Sequence, residues 1–232
     1  HIPGAVHFDL FGLNVRHTGP ESLDSFLWMM EGLFGNRGVD HDVTVVIYDA
    51  QTGVRAARAF WFLEYFGHED THVLDGGFDA WEMAAHPVSQ EPIKPKSVGF
   101  KARPVPERLA TAESILKSLE DDLSVIIDTR TDGEHDGTEV RARRGGAVPG
   151  AIHIEWKHSI ENGAYKNADE LTALYEGNGI STDKEVSAYC QGGYRSAHTY
   201  LALRLLGYEK VRNYVSSWAE WGEREELPIE KP

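Results

Sequence analysis

Cys190 is the single cysteine among 232 residues, and it sits in the run Tyr189-Cys190-Gln191-Gly192-Gly193-Tyr194-Arg195. The β-branched stretch Val186 to Cys190 predicts a buried strand, and Ser196 to Leu206 has apolar residues at helical spacing. The cysteine therefore closes a strand and faces a helix N-terminus across a loop with paired glycines. Such a turn can point successive backbone N–H groups inward, making an anion-binding concavity at the positive end of the helix dipole. A thiol placed there is acidified, because helix N-termini and nearby cations lower a cysteine pKa from about 8.5 into the range of roughly 3.5 to 7.5. A thiolate is a nucleophile, so the loop Gln191, Gly192, Gly193, Tyr194, Arg195 predicts nucleophilic chemistry on an anionic ligand. A lone cysteine is ordinarily a small buried apolar residue; what sets Cys190 apart is a comparison within the chain.

That comparison rests on an internal repeat. Ile2 to Asp9 (IPGAVHFD) returns 146 residues later as Val148 to Glu155 (VPGAIHIE). Val54 to Trp81 (VRAARAFWFLEYFG, then DGGFDAW) aligns with Tyr194 to Trp221 (YRSAHTYLALRLLG, then VSSWAEW) at an offset of 140. At the place of Cys190 the first half carries Asp49. Features common to both halves read as scaffold: Trp81 and Trp221, Gly67 and Gly207, His7 and His153. Those in one half only, Cys190 with Gly192 and Gly193, read as chemistry. Arg55 matches Arg195, so that arginine is weighed toward tying its loop to a carboxylate in both halves, with anion binding as the alternative.

The elements that must hold this loop follow from the same pattern. Val43 to Tyr48, Ser124 to Asp128 and Val186 to Cys190 predict buried parallel strands, and a helix is expected near Thr111 to Leu119. Arg55 to Phe66 and Ser196 to Leu206 predict helices stopped by left-handed caps at Gly67 and Gly207. Strands alternating with helices predict an α/β fold used twice, each unit a mainly parallel central sheet flanked by helices. Pro87 to Pro106 carries five prolines and sustains no period. The expected division is a domain over 1–90, a linker over 91–106 and a domain over 107–232. The second half has about forty residues before VPGAIH that the first lacks, so the first domain is expected to be truncated at its start.

Composition narrows the partners. A net charge of −14 argues against nucleic acid and anionic membranes, which are bound through excess Lys and Arg. Neither a long apolar run nor an apolar N-terminal segment with a cleavage site is visible, so no export signal is expected. One cysteine permits no internal disulfide and no Cys-rich zinc site, and eleven histidines fall in no ligand spacing, so no metal is expected. A cytoplasmic, soluble protein acting on small molecules is the expectation. His198 reads as a surface or packed helix residue.

The double α/β repeat, the IPGA-like segments, the CQGGYR loop with its helix, and the closing SSWAEW resemble the tandem-domain rhodaneses, the thiosulfate and 3-mercaptopyruvate sulfurtransferases. The likeness spans nearly the whole chain. It implies an inactive first domain, an active second domain, a substrate cleft between them and no cofactor. It also implies that the Cys190 thiolate takes sulfur from a small anionic donor as a persulfide and passes it to cyanide or a thiol. Basic residues of the segment after Asp128 reach the substrate in that family. The resemblance thus points to Arg130, within an Asp-x-Arg pattern, and to Arg143 and Arg144 of the Arg141, Arg143, Arg144 cluster, whose other reading is a solvated face paired with carboxylates. This chain departs from the family in having Glu134 where a further arginine is common. Thiosulfate is the favoured donor, because the loop has neither the Ser nor the Thr of mercaptopyruvate enzymes and its Arg195-Ser196 ending resembles bacterial thiosulfate sulfurtransferases. Two other classes are weighed: a catalytically silent binding module, and a Cys-based phosphatase or arsenate reductase. Loop length argues against the latter, since four residues separate Cys190 from Arg195 whereas such phosphatases have five.

Overall fold

The β-branched runs form parallel strands in a computed structural model that describes residues 1–50 and 52–232. In the N-terminal unit, α1 (Pro20–Gly35) precedes β1 (Val45–Ile47), α2 (Val54–Tyr65), β2 (Thr71–Val73) and α3 (Gly77–Met83). Strands β1 and β2 pair in parallel. The C-terminal unit runs β3 (Leu109–Ala110), α4 (Ala112–Ser118), β4 (Ser124–Asp128), α5 (Asp132–His135), β5 (Ile152–His153), β6 (Ile160–Glu161), β7 (Ala164–Tyr165), α6 (Ala168–Glu176), β8 (Glu185–Tyr189), α7 (Arg195–Leu205), β9 (Val211–Tyr214) and α8 (Ser217–Trp221). Its sheet has the order β3-β9-β8-β4-β5, parallel throughout. The fold is thus α/β, with a mainly parallel central sheet flanked by helices. Strand β8, which leads to Cys190, lies centrally between β4 and β9, with both edges hydrogen-bonded and Val186 to Tyr189 buried.

Helices α2 and α7 end where expected: Gly67 and Gly207 follow them with φ of 74° and 83°, a region that a side chain disfavours. Helix α1 and the β6–β7 hairpin are among the elements not anticipated from the sequence. Helix α1 begins at Pro20, whose fixed φ suits the first helical position. The β6–β7 hairpin turns through Asn162 and Gly163, both with positive φ, as a two-residue hairpin turn requires.

The proline-rich stretch has no helix or strand up to Pro106, yet it is not a free tether. Arg103 and Val105 donate backbone N–H groups to Phe66 and Tyr65, and buried Phe100 packs edge-on to Phe34. It lies along the N-terminal unit and contributes Phe100 to the core.

The two units pack through α2 and α7, and charged groups bridge them. Glu64 of α2 accepts from Arg204 at 2.8 and 3.1 Å and from the Tyr200 hydroxyl. Buried Glu220 accepts from the Thr18 N–H and hydroxyl at 3.0 and 2.8 Å and from Tyr214 at 2.9 Å. The β6–β7 hairpin reaches across as well, with the Tyr165 N–H donating to Asp75 at 2.9 Å.

Candidate active site

Cys190 follows β8 directly and is 1 % exposed. The Gly193 N–H donates to its Sγ at 3.1 Å, and the hydroxyls of Ser196 and Ser217 stand 3.6 and 3.9 Å from the sulfur. Gly193 has φ of 82°, and a Cβ there would come within 2.3 Å of the Val215 carbonyl oxygen. Only glycine lets this N–H face the sulfur. Burial acts to raise the Cys190 pKa. The Arg195 charge and hydrogen bonds from the Ser196 and Gly192 backbones and the Ser196 hydroxyl oppose it and prevail, bringing the thiol from 9 down to about 7. At neutral pH a large share of this cysteine is thiolate.

Ser217 was not picked out from the sequence. Its φ is +54°, strained for a non-glycine residue, and its Oγ accepts the Cys190 N–H at 3.0 Å and donates to the Tyr214 carbonyl at 2.6 Å. At the matching place in the first half stands Gly77, with φ of 59°. A serine replacing glycine between DGGFDAW and VSSWAEW was the available signal.

Arg195 makes the tie to a carboxylate expected of it: its guanidinium grips Glu134 with two bonds of 2.5 and 2.8 Å. Glu134 is 1 % exposed and also accepts from Arg141 at 3.2 Å. Burial alone would raise its pKa, but Arg195 first and then the Thr131 N–H and Arg141 hold it near 2. The departure from the family pattern at Glu134 is therefore an anchor for the loop arginine. In the first half the expectation fails. The Arg55 guanidinium lies 4.9 Å over the Phe11 ring and makes no carboxylate pair among the described residues. Its loop is stabilised from within, by the Asp49 carboxylate accepting N–H groups of Gly53, Arg55 and Ala56 at 3.0, 2.9 and 3.3 Å. Asp49 is the counterpart of Cys190 in backbone pairing too, since Phe78 donates to the Asp49 carbonyl as Trp218 does to that of Cys190. The same strand end, followed by a loop one residue longer in the first half, carries a carboxylate in one half and a sulfur in the other.

The three arginines expected at the substrate are placed elsewhere. Arg130 is 1 % exposed, bonds both Asp128 oxygens at 2.6 to 3.2 Å, donates to the Gly146 carbonyl, and lies 4.4 Å over the Trp218 ring. A guanidinium saturated in this way is part of the wall. Arg144 caps α8 by donating to the carbonyls of Trp221, Gly222, Arg224 and Leu227. Arg143 pairs with Glu225 on an exposed face. Of the cluster it is Arg141 that reaches the site: half exposed, it shares Glu134 with Arg195, and its carbonyl accepts from the Gln191 side chain at 3.0 Å. His198 is packed, not exposed, stacked 4.2 Å from Tyr165. Tyr194 donates its hydroxyl to the Leu10 carbonyl at 2.9 Å, so the N-terminal unit covers part of the loop.

Comparison with known proteins accords with this arrangement. The family model described as "Rhodanese-like domain" matches residues 1–84 and 111–224. A thiosulfate sulfurtransferase of Pseudomonas aeruginosa is 36% identical over 231 residues, spanning 99% of this chain and 85% of that protein. The thiosulfate sulfurtransferase of Azotobacter vinelandii is 32% identical over 231 residues, with the same shares. Among solved structures, wild-type EanB superposes with a TM-score of 0.85 at 23% identity, a likeness of fold, and this chain spans 59% of its length. Two matched repeats and relatives aligned over most of their length show that the chain belongs to the rhodanese family and is a rhodanese-type transferase.

Proposed function

We propose that this protein is a thiosulfate sulfurtransferase that carries sulfane sulfur on Cys190. The observation that carries the reading is the Cys190 sulfur itself: buried, met by the Gly193 N–H at 3.1 Å, and acidified to about 7 with Arg195 as the main favourable charge. The Cys190 thiolate attacks the outer sulfur of thiosulfate; a new S–S bond forms, the old one breaks, and its electron pair leaves with sulfite. The persulfide sulfur lies within reach of the loop N–H groups, which meet its charge without reorganising. Cyanide or a thiol then attacks the outer sulfur and the Cys190 thiolate is restored. Arg141, half exposed beside Gln191, is the cation best placed to meet the donor at the rim. The names of the thiosulfate sulfurtransferase relatives support thiosulfate as donor.

The reading is tested by steady-state kinetics with thiosulfate and cyanide, followed as thiocyanate formed. Parallel double-reciprocal lines are expected of this double displacement. Turnover of an aryl phosphate with none of thiosulfate or 3-mercaptopyruvate would overturn it, and activity with mercaptopyruvate alone would change the donor.

A further inference from the structure

Helix α2 of the N-terminal unit carries Arg58, which is fully buried and has no carboxylate partner among the described residues. Its Nη1 donates to the Gly192 carbonyl at 2.7 Å, its Nη2 to the Leu13 carbonyl at 2.6 Å, and its guanidinium lies 3.7 Å over the Tyr194 ring. The Gly192 carbonyl and the Gly193 N–H belong to one peptide group. In a trans peptide the two point in opposite directions, so holding the oxygen from behind aims the N–H at Cys190, 3.1 Å away. Glycine on both sides leaves this peptide free to rotate unless something outside the loop fixes it.

The repeat supplies an internal control. The offset of 140 places His198 of α7 opposite Arg58, and Thr52 opposite Gly192. His198 leans on the Thr52–Gly53 turn, 3.9 Å from where a Gly53 Cβ would be, as Arg58 leans on the Gly192–Gly193 turn. Each unit thus inserts one helix side chain behind the other's loop. Among the described residues, the helix side chain behind the loop that holds the thiol is a cation. The loop filled by Asp49 receives an imidazole that burial keeps neutral, with its pKa lowered to about 3. An unpaired guanidinium in a dry interior is costly, and the Cys190 thiolate across the Gly192–Gly193 peptide acts to favour its charge. Burial lowers the Arg58 pKa to about 10, and the charges of Tyr194 and Cys190 act to raise it.

We propose that Arg58 is a positioning residue of the transferase: it locks the Gly192–Gly193 peptide with its N–H on Cys190 and acts as buried counter-charge to the thiolate and persulfide. The unit without a nucleophile thereby completes the site of the other. This rests on Cys190 being the nucleophile.

Arg195 of α7 is the cation that acts most strongly on Cys190, and Arg58 of α2 stands behind the Gly192–Gly193 peptide; the Tyr194 phenol overlies Arg58, Glu134 backs Arg195, and Ser196 and Ser217 bring hydroxyls only. Because Cys190 is the sole cysteine, the pH dependence of iodoacetamide alkylation titrates it alone. In Arg58→Gln, which keeps an amide donor and loses the charge, the midpoint is expected to rise by about one unit, making alkylation about tenfold slower below it. Arg58→Lys should recover the wild-type rate to within about threefold. His198→Gln, which disturbs the mirrored contact, should titrate as wild type. Identical titrations for Arg58→Gln and wild type would overturn the proposal. So would a rise in His198→Gln equal to that in Arg58→Gln, since packing alone would then explain it. Alkylation does not require sulfur transfer, so a wild type that titrates as described yet moves no sulfur would sink the proposed activity and not the role of Arg58.

Discussion

Cys190 is buried among neutral and apolar neighbours that work against its ionisation, and the balance is turned by Arg195 and by backbone N–H groups of the loop. A group with its pKa brought down to about 7 is protonated below that pH and ionised above it. The kcat/KM for the donor is therefore expected to rise with pH through a midpoint near 7, in step with alkylation; a midpoint near the ordinary 9 would contradict the acidified site. Glu134 carries a second expectation. It is the buried partner of Arg195, and removing one member of a buried pair costs about 3–5 kcal/mol. Urea unfolding of Glu134→Gln at neutral pH should show a loss of that order, whereas a loss below about 1 kcal/mol would mean that the pair is no anchor. The sign with pH is fixed by its depressed pKa. The stabilisation is full above the unfolded value near 4.5 and is lost as pH falls toward about 2, so wild type and Glu134→Gln should converge in acid.

At the scale of elements, the strand–loop–helix frame appears twice, and the difference between the copies is what the chemistry uses. Asp49 in one frame and Cys190 in the other occupy the same backbone position, and Gly77 in one is Ser217 in the other. Ser217 tolerates a left-handed backbone to hold the Cys190 N–H. Replacing it by glycine relieves the backbone and replacing it by alanine does not, so Ser217→Gly should be more stable than Ser217→Ala by about 1 kcal/mol in thermal unfolding. Equal stabilities would mean the strain is absent. The strands and helices beside the site were legible because their signals are local: β-branched runs, apolar spacing and terminal glycines placed β4, β8, α2 and α7 within a residue or two. The run Val43 to Tyr48 shortens to β1, Val45–Ile47. Helix α1 and the β6–β7 hairpin went unread, although Pro20 and Asn162–Gly163 carried their signatures.

Over the whole molecule, long-range partners were the part that sequence could not disclose. That Cys190 and its loop face a helix N-terminus follows from neighbouring residues. That Arg130 would be consumed by Asp128, Arg144 by the end of α8, and Arg195 by Glu134 depends on which carboxylates and carbonyls the fold brings near. The same holds for Arg58, 134 residues from the carbonyl it grips. A net charge of −14 belongs to a chain whose one thiol is set against the Arg195 charge, so local placement and not overall charge governs the anion. The interface that brings Arg58 to Gly192 also depends on Glu64, which is partly buried between Arg204 and Tyr200. Glu64→Ala should lower stability by about 1–3 kcal/mol by leaving those donors without an acceptor, read as a lower melting temperature. An unchanged melting temperature would argue that the two units are not held by this contact.

The proposed transfer requires that sulfur ride on Cys190. Intact mass spectrometry after incubation with thiosulfate, alongside Cys190→Ser, tests it directly. The wild type should gain one sulfur atom, about 32 Da, and lose it to cyanide, while the serine variant gains nothing. A wild type that stays at its starting mass with thiosulfate and with 3-mercaptopyruvate, or a serine variant that gains the same mass, would contradict the account.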